Sequence, residues 1–206
     1  MPIPALIHPA HPRTMLGAAT SAESGAHAYV DHTSTSESVG CTLVMPQEAT
    51  PMRPVRPLHL GVIADTHGLL RPEALEALRG CAAIVHAGDI GKAEVLEALR
   101  ALAPLHAIRG NIDTAPWAQA LPETLDLDID GVRLHVRHDL KTLDHVADGV
   151  DVVISGHSHT PSLQTRDGVL YLNPGSAGPR RFRLPIGIGH LYLTPDGPRG
   201  ELQTLG

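Results

Sequence analysis

Carboxylate, amide and imidazole side chains recur in this chain at the ends of short apolar runs, and the runs are spaced as in β-α-β units. Asp65-Thr66-His67 follows an apolar run at 58–64, Gly88-Asp89 follows 82–86, and Gly110-Asn111-Ile112-Asp113 follows 105–108. Farther along, His138 follows the run at 132–136, and Gly156-His157-Ser158-His159 follows 150–154. Asp65, Asp89 and Asn111 lie 24 and 22 residues apart, and each interval fits one strand–helix–strand step. In an open α/β sheet, side chains at the carboxyl ends of the strands converge on one crevice, however far apart they lie in sequence. An isolated Asp after a strand is more often a helix cap, and an isolated buried His a hydrogen-bonded core residue. Five such clusters in order point instead to one site.

The intervening segments supply the scaffold. Residues 72–79 read as a short helix: Pro72 suits its first turn, Leu75 and Leu78 share a face, and Gly80 stops it. Residues 92–102 place Val95, Leu96, Leu99 and Leu102 on one helical stripe, with Pro104 beyond. Three parallel strands with right-handed crossovers follow. The second half is strand-rich. Runs at 124–129 and 132–136 flank Asp130-Gly131, a strong hairpin signal. Further hairpin-like pairs are 162–166 with 168–172 and 187–193 with 200–204. These strands imply a second sheet. The expected fold class is α/β, a four-layer αββα sandwich of two mixed β-sheets flanked by helices.

Composition narrows the functions open to such a fold. The chain has 206 residues, with 16 Lys+Arg against 22 Asp+Glu, and aromatics are only 2%; neither the basic footprint nor the stacking platforms of a nucleic-acid binder is present. Histidine is abundant, at 14 residues. No apolar run approaches a membrane span, and no signal-peptide pattern opens the chain, so a cytoplasmic protein is expected. Cys41 and Cys81 have no metal-ligand spacing, and neither a disulfide framework nor a cysteine zinc site is expected. Residues 1–57 hold eight of the 18 prolines and a stretch rich in Ser, Thr, Ala and Gly without periodicity. They read as a disordered extension, or as an upstream segment of a protein whose translation begins at Met52. The domain is then 58–206.

The ordered clusters resemble the signature of the calcineurin-like metallophosphoesterases: Asp-x-His, Gly-Asp, Gly-Asn, a later His, and Gly-His-x-His. The likeness is to the small prokaryotic phosphodiesterase branch, the YfcE family, through Gly156–His159 with Pro161 and through Asn173-Pro174-Gly175-Ser176. It extends over residues 58–193. The resemblance implies a phosphodiesterase with two divalent metal ions, manganese being the first expectation and nickel, cobalt, iron or zinc the alternatives. Asp65, His67, Asp89 and His159 would hold one ion, and Asp89, Asn111, His138 and His157 the other, with Asp89 bridging. Asp65, His67, Asp89, Asn111 and His157 are the expected catalytic set, with a hydroxide between the ions attacking phosphorus in line. A small phosphodiester is the expected substrate, and a homo-oligomer is compatible with the sequence.

Several positions carry competing readings. His135 rivals His138, but two-residue alternation puts it on the opposite strand face. His86 reads as a support for Asp89 or as a core residue. Larger relatives have Gly-Asn-His where this chain has Gly110-Asn111-Ile112, so no imidazole beside Asn111 can assist the leaving group; Asp113 is expected to orient ligands or cap the next segment. Arg109, Arg180 and Arg181 are the expected phosphate contacts, with surface charge as the plainer reading. The alternative function is a metal-binding scaffold resembling the retromer small subunit, which shares the fold but has lost catalytic ligands.

Overall fold

In the computed structural model the described residues are 57–205. The expected extension and the alternative start at Met52 lie outside them, Pro57 excepted. The first half forms β1 (Leu58–Ile63), α1 (Pro72–Ala77), β2 (Ala83–His86), α2 (Ala93–Arg100) and β3 (Leu105–Ala107). β1, β2 and β3 are parallel, with Leu60 opposite Ala83 and Ile84 opposite Leu105. The second half forms β4 (Thr124–Ile129), β5 (Val132–Arg137), β6 (Val152–Ile154), β7 (Ser162–Arg166), β8 (Val169–Asn173), β9 (Gly187–Thr194) and β10 (Gly197–Thr204). Two mixed five-stranded sheets result, ordered β10-β9-β1-β2-β3 and β4-β5-β6-β8-β7.

Alternation along the strands divides the interior in two. Leu60 and Val62 of β1 and Val85 of β2 meet Leu134, Val136, Val152, Ile154 and Leu172 between the sheets. Ile63, Ile84 and Ile188 face the other way, onto Leu78, Val95, Leu96 and Leu99 of the helical layer. Each fully buried aliphatic side chain of this kind contributes about 1.5–3 kcal/mol. The sandwich is therefore held from both faces of the first sheet.

Two details differ from the sequence reading. The last hairpin does not extend the second sheet: β9 pairs antiparallel with β1, Gly61 opposite His190, and β10 pairs with β9 at the edge. A hairpin signal fixes its own register but not the sheet it joins. Helical cover is also sparse among the described residues, where both α-helices pack on the first sheet. Between β5 and β6 the chain runs through a 3₁₀ turn, Leu140–Thr142.

Candidate metal centre

The loops that leave β1, β2, β3, β5 and β6 meet at one end of the sandwich. Five of the expected ligands there adopt left-handed backbone: Asp65 (φ 54°), His67 (47°), Asp89 (55°), His157 (64°) and His159 (57°). This region costs a non-glycine residue roughly 1–2 kcal/mol. Among the described residues the other non-glycine cases are Asp130, Asp167 and Phe182, the first two in hairpin turns. Strain of this kind persists only where surrounding contacts over-determine it, and it concentrates at functional sites.

The side chains form two adjoining groups of possible ligand atoms. In the first, His67 Nε2 and His159 Nε2 are 3.2 Å apart, and His159 Nε2 is 3.3 Å from Asp65 Oδ1. Ligand atoms at about 2.1 Å from one cation would be roughly 3.0–3.4 Å apart, so this spacing fits a common ion. In the second, His138 Nε2 is 3.2 Å from Asp89 Oδ1, and His157 Nδ1 is 3.0 Å from Asn111 Oδ1. Asp89 faces both groups, because its Oδ2 lies 3.8 Å from His67 Nε2. Gly110 permits that position: a Cβ there would lie 2.1 Å from Asp89 Oδ1.

Burial and tautomers suit these atoms to a cation. Asp65 is wholly buried, and neither of its carboxylate oxygens has a hydrogen-bond partner. Burial, with the Asp89 charge adding to it, pushes its pKa up to about 7 despite the opposing influence of His138. A divalent cation would reverse that penalty. His138 Nδ1–H donates to the Ala87 carbonyl at 2.7 Å, which leaves Nε2 for the centre, as in most metal-bound histidines. His138 Nε2 itself is not aligned for a hydrogen bond. Burial lowers the pKa of His138, but the adjacent Asp89 carboxylate outweighs it and the net shift is upward; burial likewise opposes the net lowering of Asp89. Each shift favours the charged form of its group, so without a metal the two make an imidazolium–carboxylate pair in which a proton stands where a cation would. Burial lowers His67, and burial together with Arg181 and His67 lowers His159 to about 4, so both rings stay neutral and able to ligate.

Non-ligand residues hold the loops. Thr66 Oγ1 donates to the Ile90 carbonyl and therefore accepts from His86 Nε2–H, leaving His86 Nδ1 to accept the Gly88 N–H. Burial brings the His86 pKa down to about 3. His86, fully buried, thus ties the Asp65 loop to the Asp89 loop. Asp113 accepts the backbone N–H groups of Ile90, Gly91 and Gly110 at 3.0, 2.8 and 2.8 Å. It orients ligand loops rather than starting the next segment. Ser176 Oγ donates to the Asp65 carbonyl, and Asn173 Nδ2 donates to the Gly156 carbonyl, so the stretch 173–176 joins loops from the two sheets.

The remaining expected residues divide. His135 lies away from both groups, with Nδ1 2.7 Å from Asp126 Oδ1. Arg109 is paired with Glu123 at 2.6 Å while lining a cleft of about 320 Å³ with Asn111, Arg137, His138, Asp139 and His157. Arg180 and Arg181 are exposed, and the charge of Arg181 is felt at Asp65, His67 and His159. The Ile112 side chain is 41% exposed, while its N–H donates to Asp89 Oδ1 at 3.1 Å. Sequence reasoning gave no role to Asp139, whose Oδ2 is 3.7 Å from His157 Nε2, or to Arg137 on the cleft wall. Their adjacency to His138 was the only available signal.

Comparison with known proteins agrees with this geometry. The sequence profile of the calcineurin-like phosphoesterase superfamily domain matches residues 58–195. A probable metallophosphoesterase of Methanothermobacter thermautotrophicus is 34% identical over 131 residues, which is 57% of this chain and 76% of the relative. The phosphodiesterase YfcE of Escherichia coli K12 is 29% identical over 158 residues, 62% of this chain and 84% of that protein. Among solved structures, wild-type Vps29 complexed with Zn²⁺ from Entamoeba histolytica has a TM-score of 0.55 at 21% identity, covering 69% of this chain and 97% of that one. The loops that carry the candidate ligands and the matched residues lie in the same stretch, and the chain belongs to the calcineurin-like phosphoesterase superfamily.

Proposed function

We propose that this protein is a metal-dependent phosphodiesterase that uses two divalent ions, with manganese the first candidate. The observation that carries the reading is Asp89, whose two oxygens face the two groups separately, Oδ2 towards His67 and Oδ1 towards His138. Asp65, His67, Asp89 and His159 would hold one ion, and Asp89, Asn111, His138 and His157 the other. When bound, such ions lower the pKa of water and neutralise phosphoryl charge. Only two of the seven ligands are carboxylates, so the centre would keep net positive charge and attract an anionic ester although the chain is acidic.

The protein's own groups do the positioning. Ile112 N–H donates to Asp89 Oδ1, beside which His138 Nε2 lies, and Asp113 fixes the Gly110 turn that brings Asn111 to His157. Arg181 adds positive charge on the His159 side, and the cleft beside Asn111 and His157 leaves room for the ester. Ile112 offers no proton, so esters with acidic leaving groups should react faster than alkyl esters, by up to the roughly 10²- to 10⁴-fold that general acid catalysis supplies elsewhere. The phosphodiesterase name of the YfcE relative supports this substrate class.

The test is turnover of aryl and alkyl phosphodiesters, aryl phosphomonoesters and cyclic nucleotides with each of Mn²⁺, Co²⁺, Ni²⁺, Fe²⁺ and Zn²⁺. Metal-dependent hydrolysis of aryl diesters is expected. Stoichiometric metal binding without turnover of any ester would favour the scaffold reading, with which the Vps29 likeness in fold is compatible.

A further inference from the structure

On the outer face of the first sheet, in a group separate from the centre above, three further side chains converge. His59 comes from β1, His190 from β9, and Cys81 from the turn before β2; each offers a ligand atom within 4.8 Å of the others. His59 Nε2 is 2.8 Å from His190 Nδ1, and Cys81 Sγ is 3.7 Å from His59 Nε2. We propose that His59, Cys81 and His190 form a mononuclear site for a thiophilic divalent ion of the zinc class, with a fourth position left to solvent.

Strand register creates the cluster. His190 lies opposite Gly61 and Tyr192 opposite His59, so both histidines project from the same face of neighbouring strands. Gly61 is what admits the thiol: a Cβ there would stand 3.1 Å from Cys81 Sγ. Cys81 and His190 are each only 7% exposed, and His59 is half-buried, which leaves one approach to solvent. Tyr192 stacks on the His59 ring at 4.6 Å.

The hydrogen bonds already orient the donors. Gln203 Oε1 accepts from His190 Nε2–H at 2.7 Å, which leaves the Nδ1 lone pair facing His59 and Cys81. Metal-bound histidines are commonly held in this way through the other ring nitrogen. With Zn–N of about 2.0 Å and Zn–S of about 2.3 Å, a tetrahedral N-to-S edge is roughly 3.5 Å, close to the separation of His59 Nε2 and Cys81 Sγ. The two histidine nitrogens need to separate by a few tenths of an ångström. On binding, Cys81 Sγ loses its proton to solvent and the His59 ring proton moves from Nε2 to Nδ1, so one proton leaves for each ion bound. Burial and the neighbouring His190 lower the His59 pKa and keep that ring neutral; burial raises the Cys81 thiol, so binding strengthens as pH rises. Cysteine spacing hid this site, because its ligands come from three separate elements.

Cobalt distinguishes this site from the phosphoesterase centre, because only a thiolate ligand gives the near-ultraviolet sulfur-to-cobalt charge-transfer band. The chain has two cysteines, so in the full-length Cys41→Ala protein Cys81 is the sole thiol. Titrating that protein with Co²⁺ should produce the band, saturating at an intensity that corresponds to one thiolate-bound ion per chain, apart from the ions taken by the phosphoesterase centre. The band should persist in Cys41→Ala/Asp89→Ala, and Gln203→Leu, which removes the side-chain amide behind His190, should weaken it about 10- to 100-fold in cobalt affinity. Absence of the band in folded Cys41→Ala at saturating cobalt overturns the proposal, as does a Gln203→Leu affinity equal to that of the parent. Both outcomes would leave the phosphodiesterase reading untouched.

Discussion

The two halves of the phosphoesterase centre differ in enclosure. Asp65 and His159 are buried, and the His67 side chain is 12% exposed, so the first half is nearly dry. The second half shares buried Asp89 and His138, but its His157 side chain is 42% exposed and Asn111 lies at the surface beside the cleft. Low dielectric strengthens charge interactions and makes each unpartnered carboxylate costly, which suits the first half to holding an ion tightly. Apart from the shared Asp89, the open half has neutral candidate ligands, and it has room for an incoming ester. On the proposed reading, the difference would give retention of metal to one side and exchange with solvent and substrate to the other.

The largest expected effect is at the residue common to both halves. Asp89→Ala should lose both ions and lower turnover by roughly 10³-fold or more, the several kcal/mol that metal charge stabilisation supplies. Elemental analysis and kinetics on the same preparation decide this, and two ions retained by the variant would sink the shared role. Substitutions on either side sharpen the contrast. His159→Ala should abolish tight binding of one ion, whereas His157→Ala should leave that ion in place and release the other on dialysis; equal losses from both would erase the distinction between halves.

Smaller effects come from residues that touch neither ion. Asp113→Ala removes acceptors from three backbone N–H groups and should cost about 10- to 100-fold in activity, with Asp113→Asn recovering part of it. A variant with unchanged metal affinity and turnover would show that the loops hold without it. The last effect is on acid stability and leaves turnover aside. The folded pKa of His86 is about 3, below the unfolded value of about 6.5, so the unfolded chain binds the extra proton and this contribution to stability is lost as pH falls from about 6.5 towards 3. Melting temperatures of the metal-free protein across that range should fall less steeply in His86→Gln than in the parent. Parallel slopes would place the His86 proton elsewhere.

Much of this was legible because the chemistry follows the strands. Asp65, Asp89 and Asn111 each sit just beyond a strand whose end is set by local apolar pattern, so topology alone gathers them. His138 could be preferred over His135 because side-chain period in a strand is two, and His135 indeed pairs with Asp126 instead. What stayed hidden depends on pairing between distant segments. Nothing in residues 187–204 states that they return to β1, and without that return His190 has no relation to His59 or Cys81. Likewise, β6 begins at Val152 rather than at Val150, because the Val150 N–H turns back to the Ala147 carbonyl in the loop around Gly149 and the Arg133 N–H goes to the Asp151 side chain rather than to a backbone carbonyl.

The left-handed backbone at Asp65, His67, Asp89, His157 and His159 has an evolutionary consequence. Glycine adopts that conformation without the Cβ penalty, so at these positions the residue needed to bind metal is not the residue that would stabilise the empty fold best. Heat resistance and catalysis then select in opposite directions at the same five codons. A library of this protein screened only for survival at high temperature, in the presence of a chelator, should therefore drift first towards glycine at these positions and shed its metal ligands while the two sheets remain intact.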